Sequence, residues 1–250
     1  MRSPDPDLES RLLAVLPLAR GFDRERLLSR LGQVGGRRSE AVLAPIVERT
    51  VKAPSSERAT ALQGLAQLRG ADGLAAYRTA LGDRDLFVQM LALGMLRLHD
   101  PTGVAAGDAE AWVRRRMQGR QDRKIWDFGE LPLAVGYFTS VGRLEPLARV
   151  LVARDADLLP VERRVLERMW PLEERHRCAR GEPTGAPDLT GLGDLGHSHE
   201  YYVDVECETR GLPPLRWPTP SPDRDAEWLR EAELEDEAIL ARLERRLRRV

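Results

Sequence analysis

"GLAQLRGADGL", residues 64–74, laid over "GMLRLHDPTGV", residues 94–104, sets Gly64 on Gly94, Leu65 on Met95, Leu68 on Leu98 and Gly73 on Gly103. Self-similarity at a period of about 30 residues is the mark of stacked repeats. The unit reads as a pair of helices. Ala61, Leu62, Leu65 and Leu68 recur at helical spacing, a Gly-Ala-Asp-Gly turn follows, and Leu74, Tyr77, Ala80 and Leu81 form a second stripe. "GDRD" then breaks the chain before Leu86, Val88, Leu91, Met95 and Leu98 open the next helix.

Fainter echoes lie on both sides. "RLLSRLGQVGGRRSEAVLAPIVERTV" upstream and "LPLAVGYFTSVGRLEPLARVLVARD" downstream keep the order helix, Gly turn, helix, so four or five hairpins would fill residues 7–170. The stretch "ERATALQGLAQLRGADGLAAYRTALGDRDLFVQMLALGMLRLHDP" resembles the HEAT-like helical repeat family. That resemblance implies an α-solenoid whose concave face binds a protein or another macromolecule, and it implies no reaction. The expected fold class is therefore all-α, a HEAT-like solenoid of hairpins over residues 1–172. A Gly/Pro-rich irregular segment over 173–220 and a charged helix over 221–250 follow it. An irregular helical bundle is the competing architecture.

Composition narrows the function classes. The chain has 250 residues, 42% hydrophobic and 32% charged, enough to bury a core. Its net charge of −1 supplies no global field toward nucleic acid or anionic membrane. Lys52 and Lys124 are the only lysines among its 39 cations, a bias expected of a GC-rich genome. "MRSPDPDLES" lacks a signal pattern, and the apolar stretch "LLAVLPLA" is far shorter than the roughly 20 residues needed to span a bilayer. A cytoplasmic protein is expected, with Cys178 and Cys207 reduced or ligating rather than cross-linked.

Chemistry has few places to reside. "GHSHEYYVDVEC", residues 196–207, holds His197, His199 and Cys207, with His176 and Cys178 about 20 positions upstream. These are ligand types that zinc or another divalent ion accepts. The alternation of His197, His199, Tyr201, Val203, Val205 and Cys207 against Glu200, Tyr202, Asp204, Glu206 and Glu208 suggests a short strand or hairpin with one acidic side. A polar loop is the plainer reading, and no cofactor is otherwise implied.

A second cluster, "WVRRRMQGRQDRKIWDF", carries Arg114, Arg115, Arg116, Arg120, Arg123 and Lys124 before Trp126. It could hold phosphates with Trp126 as a stacking surface, or solvate one helix face while Trp112, Val113 and Met117 turn inward. "IWDFGE" also resembles, faintly, the aromatic-plus-carboxylate arrangement of HEAT-like alkylpurine DNA glycosylases, at Trp126, Asp127 and Glu130. The near-neutral charge departs from that class, and nucleic acid is not an expected partner. There is no Walker loop, dinucleotide glycine motif, nucleophile elbow or H-E-x-x-H.

The last segment begins with Ser221 and Pro222, a helix-start pair. Acids crowd its first half, while arginines 242, 245, 246, 248 and 249 crowd its last turns, complementing the helix dipole. Leu229, Ala232, Ile239, Leu243 and Leu247 give it a narrow apolar stripe, which either caps its own chain or meets a partner. The sequence points first to a non-enzymatic protein-binding scaffold, an adaptor or accessory subunit of a bacterial complex. Arg114, Arg115, Arg120, Trp126, Tyr201, Tyr202 and Trp228 are the candidate contacts. A metal-dependent enzyme using His197 and His199 is the alternative, and a HEAT-like nucleic-acid-binding protein or glycosylase a third reading.

Overall fold

The structure is a computed structural model that describes residues 4–118, 129–190, 203, 205, 207–213 and 222–249. Among them there is no strand, and the fold is all-α. In chain order the helices are α1 (Pro6–Val15), α2 (Gly21–Val34), α3 (Arg37–Val47), α4 (Ser55–Arg69), α5 (Leu74–Ala80), α6 (Leu86–His99), α7 (Ala106–Met117), α8 (Glu130–Ser140), α9 (Leu144–Ala153), α10 (Pro160–Met169), α11 (Leu172–Ala179) and α12 (Pro222–Leu247). They form two compact units, one of residues 1–76 with 218–250 and one of residues 77–217.

In the first unit, α2 and α4 cross at two glycines. A Cβ placed on Gly32 would lie 2.2 Å from Gly64 Cα, so α2 could carry no side chain at the crossing, and a Cβ on Gly64 would press Leu43 at 3.1 Å and Gly32 Cα at 3.2 Å. Around it Leu27, Leu28, Leu31, Leu43, Leu62 and Leu65 are all buried. Gly35 then ends α2 where a Cβ would meet the Ser39 hydroxyl at 2.0 Å and Leu31 O at 2.4 Å, so the α2–α3 corner tolerates only glycine.

That corner is closed by a residue of α1. The Glu9 carboxylate accepts hydrogen bonds from Gly36 N–H (2.8 Å), Ser39 N–H (2.9 Å) and the Ser39 hydroxyl (2.7 Å), which satisfies the first donors of α3 from outside the helix. Burial by itself would raise this carboxyl. The Gly36 and Ser39 donors, with the nearby Arg38 charge, outweigh it and hold Glu9 below the ordinary carboxylate value.

The second unit is layered. The first helices of successive pairs pack together, α6 on α8 and α8 on α10, and so do the second helices, α7 on α9 and α9 on α11. Asp85 starts α6 by accepting from Phe87 N–H (3.0 Å) and Val88 N–H (3.4 Å). At the other end Asp100, fully buried, accepts from Val104 N–H (2.9 Å), Ala105 N–H (2.8 Å) and the Tyr137 hydroxyl (2.7 Å). One carboxylate thus folds the α6–α7 turn and ties it to α8. Gly103, at φ 68°, supplies the left-handed residue this turn needs. Tyr77 and His99 lie with ring centroids 5.8 Å apart, so His99 is a packing residue.

The Gly/Pro-rich segment departs from the expected strand where it is described. Val203, Val205 and residues 207–209 are helical, and the Thr209 hydroxyl donates back to Val205 O at 2.8 Å. A lone strand leaves its backbone groups without partners, whereas a helical turn satisfies them internally. Upstream, the same segment lies against α10 and α11. Asp188 N–H donates to Met169 O (2.7 Å), and Arg177 reaches Pro183 O (2.7 Å). Arg175, also of α11, is buried. It donates to Trp170 O (2.9 Å), Asp155 (3.2 Å) and Glu167 (3.3 Å).

Candidate functional site

The face of α1 and α2 that receives α12 is lined with arginine, and the helix laid on it is acidic there. Arg26 on α2 donates through Nε to Asp236 (2.8 Å) and through Nη2 to Ala232 O (2.7 Å). Arg30, one turn on, stands 3.6 Å from Glu233. Arg11 on α1 meets Glu244 at 2.7 Å, and Arg242 of α12 answers Asp23 at 2.6 Å. Beneath this ladder Ile239, Leu240 and Leu243 are buried, while Leu229, Leu234 and Leu247 stay exposed.

The apolar stripe expected on α12 is therefore used over its C-terminal half, with Leu240 in it and Leu229 and Leu247 left out. Three fully buried aliphatic side chains contribute about 1.5–3 kcal/mol each. Exposed ion pairs add about 0–1 kcal/mol each. Burial raises the Asp236 carboxyl further than Arg26 and Arg30 lower it. Glu244, by contrast, is held low by its hydrogen bond from Arg11. Two clefts flank the seam. One of about 560 Å³ lies among Asp5, Arg11, Arg30 and Glu237, and one of about 300 Å³ among Ser29, Gln33 and Leu229.

A different surface lies on α6. Phe87, Leu91 and Leu98 occupy one line of that helix, and Phe87 and Leu98 are 62% and 46% exposed. Val104, in the following turn, is 61% exposed. The opposite side of α6 carries Val88, Ala92, Leu93 and Leu96, all buried.

The sequence-derived candidates scatter. Arg114 is exposed and pairs with Glu110 one turn back at 2.6 Å, and Arg115 is exposed beside it. Arg116 bonds Glu130, which is buried, so that carboxylate serves α8 and presents no open acid to a substrate. Trp112, Val113 and Met117 are buried, with Trp112 Nε1 donating to Gln89 at 2.7 Å; the arginines solvate the other side. His176 is exposed whereas Cys178, two positions on along the same helix, is buried, so the helix separates them. Burial raises the Cys178 thiol against a Thr184 hydrogen bond, which favours the protonated form. Cys207 is half-buried in the short helical turn.

Among the described residues no three His, Cys, Asp or Glu side chains are grouped to hold a metal ion. His197, His199, Tyr201, Tyr202, Arg120, Trp126 and Asp127 lie outside the described residues, as does the side chain of Trp228. Sequence reasoning missed the arginines of the α12 seam. Arg11, Arg26 and Arg30 sit on ordinary amphipathic helices and pair with residues more than 200 positions away, so only the fold reveals them. No described helix is long and apolar enough to cross a membrane. The chain matches no protein-family model, no curated protein sequence and no solved structure.

Proposed function

We propose that the chain is a non-enzymatic protein-binding scaffold, an adaptor or accessory subunit of a bacterial, cytoplasmic complex. The observation that carries this reading is the apolar line on α6, where Phe87 and Leu98 stand open on a helix whose other side is locked into the core. Large apolar side chains on a rigid, preorganised element suit a protein contact, because little conformational entropy is lost when they are covered. The layered pairs α6–α7, α8–α9 and α10–α11 support the binding reading, since stacked helix pairs offer extended surfaces to macromolecules.

The buried acids support the same reading. Glu9, Asp100 and Glu130 are each engaged by donors of the fold itself. The test is a Phe87→Asp/Leu98→Asp double variant. It keeps the helical circular dichroism and melting behaviour of the wild type but loses the partner that a photo-cross-linker at Phe87 traps. Retention of that partner by the variant overturns the reading.

A further inference from the structure

We infer that α12 is a releasable latch, and that the arginine-lined groove of α1 and α2 beneath it is the docking site for an acidic amphipathic helix of a protein partner. The inference rests on the protein-binding reading above and names a surface and a partner chemistry for it.

The occupant is read from what already lies there. The groove offers Arg11, Arg26 and Arg30 on two helices, and α12 answers with Glu244, Asp236 and Glu233. It offers apolar floor through Leu8 and Leu12, where Leu240 lies along the cleft. A competing ligand must reproduce that pattern, carboxylates spaced by one to three turns with two or three aliphatic residues between them, as helix-in-groove recognition does.

Release is built into the same contacts. Among the described side chains of this 26-residue helix only Ile239, Leu240 and Leu243 are buried, and the first half of α12 leaves Leu229 and Leu234 exposed. The remaining attachment is through charge pairs and the Arg26 bond to Ala232 O, and Arg11 and Arg242 keep more than half their side-chain surface in water, where salt weakens them. The sequence leading into α12, "GLPPLRWPTPSP", carries five prolines in residues 211–222, a composition unfavourable to helix. A helix held in cis in this way competes with a partner as a tethered ligand at high effective concentration.

Two measurements on the full chain test this. In the first, hydrogen exchange is followed at about 0.05 M and about 0.5 M sodium chloride. The amides of α12 are expected to exchange at least about tenfold faster than those of α2 and α4, and faster still at high salt, as a separate opening unit does. Equal protection of α12, α2 and α4 at both salts overturns the latch, because the helix then opens only with the unit.

In the second, a fluorescent peptide of residues 222–250 is titrated against the wild type and against a Glu233→Lys/Asp236→Lys full-length variant, whose own α12 is repelled by Arg26 and Arg30. The variant is expected to bind the peptide at least about tenfold more tightly than the wild type, where the tethered helix competes. Equal binding, or a variant in which α2 and α4 lose protection too, overturns the proposal. Dimerisation of the wild type that excludes the peptide makes a second copy's α12 the occupant and overturns the partner class. None of these results bears on the α6 surface, so a failed latch leaves the protein-binding reading to stand or fall on the Phe87 and Leu98 variants.

Discussion

Gly32 meets Gly64 main chain to main chain, and this contact sets how closely α2 and α4 can pack. The obstacle to any side chain there is backbone, which cannot rotate aside. Overpacking typically costs about 1–3 kcal/mol, against a gain of about 1 kcal/mol from replacing glycine by alanine inside a helix. Gly32→Ala is therefore expected to lose about 1–2 kcal/mol in urea unfolding, the upper part of the net range because the obstacle is backbone. Gly107→Ala, where a Cβ meets nothing within 4 Å, is expected to be neutral or slightly stabilising. Equal effects at the two sites would show that α2 and α4 can separate freely.

Glu9 couples the α2–α3 corner to pH. Its folded carboxyl is held below the unfolded value, so its contribution is fully present above the ordinary glutamate pKa. That contribution is lost as pH falls through the lowered folded value. Glu9→Gln keeps an acceptor oxygen for these donors but replaces the carboxylate by a neutral amide, and is expected to cost about 1–2 kcal/mol at neutral pH. The gap between variant and wild type narrows in acid, which denaturant melts across that range would record.

Tyr137 behaves in the opposite sense. Burial, then the hydrogen bond and charge of Asp100, push its hydroxyl well above the ordinary tyrosine range. A raised acid contributes stability below its unfolded pKa that disappears as pH rises through the folded one. Tyr137→Phe is expected to destabilise by about 1–2 kcal/mol near neutrality and to flatten the loss of stability in alkali. Ultraviolet titration should show one tyrosine fewer resisting ionisation in the variant.

Arg175 uses three directions of its guanidinium at once, toward Trp170 O, Asp155 and Glu167. Lysine brings charge without that fork. Arg175→Lys is therefore expected to lose nearly as much stability as Arg175→Ala, on the order of 3 kcal/mol by thermal melting. Rescue by lysine would reduce the site to a simple charge.

His176 and Cys178 are parted by their helix, so they cannot share an ion in this fold. His176→Ala and Cys178→Ser are expected to carry as much zinc, by elemental mass spectrometry, as the wild type. A fall in bound metal on either change would mean that α11 unwinds to bind it.

Much of the helical plan could be read directly because its signals are local. The 30-residue shift locates α4 and α6, Pro222 opens α12, and Trp112, Val113 and Met117 turn inward at helical spacing. Over the few residues from Val203 to Thr209 the alternating pattern misled, since so short a segment fits either period and its backbone needs decide. The glycine crossing and the arginine ladder were hidden for another reason. Each depends on residues distant in sequence, and neither leaves a spacing that one chain segment can display.

The return of α12 also orders the protein's assembly in time. Residues 77–217 form an uninterrupted stretch, free to condense as soon as it is synthesised. Arg11 and Arg26 must wait for Glu244 and Asp236, 233 and 210 positions later. The unit begun first is thus completed last, after its neighbour has had the whole interval of translation in which to fold.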